Sequence, residues 1–154
     1  MVKLARIIFL QLTALLSMLN QRLISSFNDH VDLEPINIIV PGSIISLVIK
    51  FIEKIHNQKI NLFSLPVWGS NSNQQLIQFI SKFKKLFIIE EHLLSGGFGS
   101  WVLESINESN LSKDFDIKIL PLDKKVCGEV ASQAELIDFG GINESNFRKM
   151  ISEF

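Results

Sequence analysis

Glu90, Glu91 and His92 close a short apolar run, and Gly96, Gly97, Gly99 and Ser100 follow at once in "FIIEEHLLSGGFGSW". A carboxylate beside an imidazole can exchange protons as a general acid–base couple. Glycines opening a helix let backbone amides approach a phosphate or carboxylate, and the helix N-terminus favours negative charge there. Gly42 and Ser43 form a second turn of this kind, after "INIIVP". Two chemistries are therefore on offer: proton transfer by His92 with Glu90 or Glu91, and anion binding at Gly96–Ser100 with Gly42–Ser43.

The spacing weakens both. "GGFGS" lacks the full Gly-x-Gly-x-x-Gly series and the Gly-Lys-Ser/Thr of a P-loop. Adjacent strand residues point to opposite faces, so Glu90 and Glu91 do not read as an acid–base pair. One of them is expected to accept hydrogen bonds from the glycine turn or to meet a partner surface. His92 reads as a hydrogen-bonded structural histidine. His30 and His56 stand apart without metal-ligand spacing, and no Gly-x-Ser-x-Gly elbow occurs. Trp68 and Trp101 read as buried or interface aromatics. The residues themselves thus assign no catalytic, cofactor-binding or metal-ligating set, and they favour a structural joint at this turn.

Elements that position these turns follow from periodicity. "INIIV" (36–40), "KINLFSLPV" (59–67), "LFIIE" (86–90) and "DIKILPL" (116–122) read as buried strands. Between them, helices carry Val48, Phe51, Ile52 and Ile55, then Leu76, Ile77, Ile80 and Phe83, then "GSWVLESI". Ser43 is a candidate N-cap for the first, and Asn71 or Ser72 for the second. Ser132 and Glu135 fit a capping box, and Asn143 is expected to cap a last helix. Phe147, Met150, Ile151 and Phe154 form one apolar stripe on that helix. Alternating strands and helices predict a three-layer α/β/α domain over 36–154. Residues 1–35 read as an apolar helix over 1–27 and a polar linker.

The chain has 154 residues, 20% of them charged, and a net charge of -1. That balance carries no electrostatic footprint for nucleic acid. The single cysteine, Cys127, supports neither a disulfide framework nor a Cys-based zinc site and fits a reduced, cytoplasmic setting. The uncharged run at 7–21 is shorter than the ~20 apolar residues of a membrane span and carries polar interruptions, so it reads as a buried helix.

"LFIIEEHLLSGGFGSWVLESI" resembles the C-terminal domain of the transketolase family, which deoxyxylulose-phosphate synthase and 2-oxoacid dehydrogenase β subunits share. "INIIVPGSIISLVIKFIEKI", "INLFSLPVW" and "ILPLDKKVCGEVASQAELIDFGGIN" are similar to its other segments, in the same order. Ala131 and Gly141-Ile142-Asn143 depart from the usual closing motif. The resemblance implies a mostly parallel, mixed sheet of about five strands, although residues 1–35 show no clear counterpart of the antiparallel first strand that the family normally has.

The resemblance also implies that thiamine diphosphate and magnesium bind on other domains, through a Gly-Asp-Gly…Asn signature. No Gly-Asp occurs in this chain. Cofactor and metal are therefore expected only in a partner chain. By this resemblance the chain is an accessory, assembly-type domain of a transketolase-like transferase, not catalytic alone. It would pack against a catalytic chain or a second copy, with Glu90, Glu91, His92 and the glycine turns as candidate interface residues. The alternative is a stand-alone module binding an anionic metabolite at Gly96–Ser100.

Overall fold

The computed structural model describes residues 6–9, 34–66, 68–69, 73–109 and 116–154. In chain order the elements are β1 (Arg6–Phe9), β2 (Ile36–Pro41), α1 (Ile45–Ile52), β3 (Ile60–Leu65), α2 (Asn73–Ile80), β4 (Lys85–Leu93), α3 (Phe98–Glu108), β5 (Asp116–Leu122), a 3-10 turn (Lys124–Val126), α4 (Gln133–Phe139) and α5 (Glu144–Ser152). Four longer strands make the body of the sheet, and β1 adds a short fifth at one edge. The strand order is β1-β3-β2-β4-β5.

Two sequence expectations need correction. Arg6–Phe9 lies in the segment read as a helix, yet it pairs in parallel with β3, Ile7 opposite Leu62 and Ile8 opposite Phe63. The open edge of β3 offers unpaired backbone groups, and an Ile-Ile-Phe run suits a strand as well as a helix; tertiary pairing decides. The rest of the proposed N-terminal helix lies outside the described residues. The sheet is also not mixed among the described residues. Every pairing among the described strands is parallel.

Both sheet faces are covered, which is why the inner strands are nearly continuous apolar runs. On one face α1, α4 and α5 bring Val48, Phe51, Ile52, Ile137, Phe147 and Ile151 onto Ile36, Ile38, Leu62, Phe87 and Ile89. On the other, α2 and α3 bring Leu76, Ile77, Ile80, Phe98 and Val102 onto Ile39, Phe63, Leu86 and Ile88. Asn37 is the polar interruption in "INIIV". It is buried, donates to the carbonyls of Pro35 and Lys85, and accepts from Asn61 at 2.9 Å. The buried amide is thereby satisfied while it ties β2 to β3 and β4.

Local signals at the end of the chain behave as read. Ser132 and Glu135 form a complete capping box on α4, and Asn143 caps α5 through the Asn146 amide. Ser43 differs. Helix α1 has Ile44 at its N-cap and no side-chain cap, because the Ser43 hydroxyl goes to Glu91 instead.

Candidate functional site

Strands β2 and β4 are neighbours. β2 leads into α1 on one face, whereas β4 leads into α3 on the other. Their carboxyl ends therefore flank the topological switch point, where open parallel sheets place their ligand crevices. Both candidate turns, Gly42–Ser43 and Glu90–Ser100, meet here.

Glu90 and Glu91 do point to opposite faces, as strand alternation requires. Glu90 is fully buried. Its Oε2 accepts from the Phe98 amide at 2.6 Å and its Oε1 from the Gly99 amide at 2.9 Å. These are unsatisfied donors of the first turn of α3, so a carboxylate of the chain itself occupies the position an external anion would take. Burial pushes the Glu90 carboxyl above the usual carboxylate range, opposed by the two amides and by the nearby His92. Gly97 donates to the Leu94 carbonyl, and the Ser100 hydroxyl to the Gly97 carbonyl at 2.9 Å.

The glycines make room for this arrangement. A Cβ on Gly97 would collide with the Leu93 carbonyl oxygen and lie 2.5 Å from Glu90 Oε2; one on Gly99 would lie 2.7 Å from Glu90 Oε1 and 2.8 Å from Ile119 Cγ2. Gly99→Ala is expected to destabilise the domain by about 1–3 kcal/mol, despite alanine's better helix propensity, because the buried Glu90 carboxylate is held in place by two amides and Ile119 must shift to admit the methyl. Urea unfolding at neutral pH measures this.

Glu91 serves the other face. Its carboxylate accepts from the Ser43 amide at 2.9 Å, the Ser43 hydroxyl at 3.0 Å and Gln133 Nε2 at 3.1 Å. Gly42 has a φ of 91°, a left-handed conformation that favours glycine, and a Cβ there would meet Glu91 Oε1 at 2.7 Å. The structure thus joins Gly42, Ser43 and Glu91 on one side of the sheet and Glu90, Gly97 and Gly99 on the other. His92 and Gly96 are exposed beside them, and Ser100 is half-buried.

Of the candidate residues, Glu90, Gly97 and Gly99 are buried within the domain. Burial follows from the desolvated capping bond, which needs two amides in fixed positions. Gln133 joins this site from the start of α4, and helical periodicity does not announce the contact, since its partners lie 42 and 90 positions away. Trp68, Trp101 and Phe98 form an aromatic cluster with ring centroids 5.4–5.9 Å apart, both tryptophans half-buried. Among the described residues no group of three or more His, Cys, Asp or Glu could hold a metal ion, and no helix is long and apolar enough to cross a membrane.

Fold and switch point define the class: a parallel α/β/α domain in which both turns at the switch point are filled by carboxylates of the chain itself. Over 69 residues, 45% of its length, the chain is 36% identical to 1-deoxy-D-xylulose-5-phosphate synthase of Syntrophus aciditrophicus (strain SB). That match covers 10% of the synthase, so the chain spans only a small part of this relative's length. No family model matches the chain.

Proposed function

We propose that the chain is the C-terminal, assembly-type domain or subunit of a transketolase-like, thiamine-diphosphate-dependent enzyme. It packs against a chain carrying the catalytic domains, or against a second copy, and leaves cofactor, magnesium and chemistry to residues elsewhere. The observation that carries this reading is the double self-capping at the switch point. Glu90 accepts from two amides at the start of α3, and Glu91 accepts from the Ser43 amide in the Gly42–Ser43 turn. A joint closed by its own carboxylates suits a domain that holds shape better than one that binds a diphosphate. The partial likeness to a deoxyxylulose-phosphate synthase points to the same enzyme class.

The same contacts count against a stand-alone anion module at Gly96–Ser100, since the Phe98 and Gly99 amides are already committed. They also count against a couple of His92 with Glu90, whose oxygens both serve α3.

The test mixes the purified chain with a deoxyxylulose-phosphate synthase trimmed of its C-terminal domain. Co-sedimentation and a gain of synthase activity are the expected results, with no heat of thiamine diphosphate binding to the chain alone. Saturable cofactor binding or turnover by the isolated chain overturns the reading, as does a monodisperse monomer that neither associates with the trimmed synthase nor raises its activity.

A further inference from the structure

Residues Cys127–Glu135 are exposed at every position, and Val130 is 99% exposed. The segment buries no side chain, although both of its flanks are anchored. Upstream, Asp123 caps the 3-10 turn through the Lys125 amide. Downstream, Ile137 enters the core, and Gly140 packs closely enough on Val126 that a Cβ there would lie 2.8 Å from Val126 Cγ1. The bonds of Ser132 with Glu135 are local to α4. The Cys127 and Glu129 amides donate to the Lys124 and Val126 carbonyls of the 3-10 turn, and the side-chain contact with the body of the domain is made through Gln133, which donates to Glu91 at 3.1 Å and reaches Ser43 Oγ at 3.5 Å.

We infer that residues 127–135 are a strap latched at the switch point, with Glu91 as the catch and Gln133 as the tongue. One carboxylate gathers three chain segments: the end of β4, the turn after β2 and the start of α4. Gly42 leaves space for the catch, and Ser43 holds it in place through its amide and hydroxyl. The latch is made of polar groups at the surface, Ser43 and Gln133 exposed and Glu91 half-buried, so water can replace each bond as it breaks. A segment with no buried apolar contact opens locally without unfolding the domain. Opening frees the strap from the carboxyl ends of β2 and β4 while Ile137 keeps the rest of α4 in the core.

Cys127 is the single cysteine, exposed, at the start of the strap, so a nitroxide attached there reports its motion in the full chain. Gln133→Ala is expected to shorten the label's correlation time about threefold, with an unchanged thermal midpoint. Gln133→Glu sets carboxylate against carboxylate and is expected to free the label further. Glu91→Ala should match Gln133→Ala; if it fails to fold, the two exposed Gln133 variants carry the test alone. Equal label motion in wild type and both Gln133 variants overturns the proposal, as does a loss of thermal stability in Gln133→Ala equal to that of a core substitution.

Discussion

Glu90→Ala is expected to lower stability by about 3 kcal/mol at neutral pH. Two buried amides at the start of α3 lose their acceptor, and each unsatisfied buried donor costs about 1–3 kcal/mol. Relief of the desolvated charge offsets part of that. Glu90→Gln keeps the shape but retains one acceptor for two donors and turns an amide N–H against a backbone N–H, so it should rescue little. The charge leaves its own mark in the pH profile. Burial raises the folded-state pKa of Glu90 above its ordinary value of 4.5, so the folded chain binds more protons than the unfolded chain between the two values. This group's contribution therefore grows as pH falls through that window and is flat above it. Glu135 and Glu144 are shifted the other way, the first by Ser132 and the second by Lys54 and Arg148, and they work in the opposite sense. The difference between wild type and Glu90→Gln isolates the Glu90 term. Urea unfolding from pH 7 down to pH 4.5 should show that difference widening; a difference that narrows on acidification would mean the carboxylate is stabilised, not strained, by its site.

Phe147→Ala is expected to cost more, about 3–5 kcal/mol, the range for a buried Phe truncated to Ala. Phe147 is fully buried on α5, with its ring 5.5 Å from that of Phe51 on α1 and 5.8 Å from that of Phe87 on β4. It links helix to helix and helix to sheet on one face of the core. Against a total stability of about 5–15 kcal/mol for a domain, the loss is a large fraction. A lower urea midpoint with an unchanged m value is the expected readout. A loss below about 1 kcal/mol would show that α5 does not complete this face of the core.

These two sites differ in how far sequence alone announces them. Phe147 belongs to a stripe with Met150, Ile151 and Phe154, and helical periodicity turns that stripe to the core whatever the partner is. Glu90 ends an apolar run, which marks it as unusual, and alternation separates it from Glu91. Nothing local says that its oxygens meet the amides of Phe98 and Gly99, although the glycines after it suggest a close approach.

Sequence by itself determined the local elements of this protein. The buried runs around Ile38, Phe63, Phe87 and Leu120, the capping box of Ser132 with Glu135 and the Asn143 cap all follow from neighbours within a few positions, where the backbone's own periods and orphan amides set the answer. The tertiary structure alone decided three things. It made Arg6–Phe9 a parallel edge strand, because the free edge of β3 supplies hydrogen bonds that the segment cannot make for itself. It took the Ser43 hydroxyl from its expected cap to Glu91, 48 positions away. It also brought Gln133 to that same carboxylate. Each is a polar pairing between distant segments, and a polar group's partner is set by what the fold places within about 3 Å of it, not by the residues beside it in the chain.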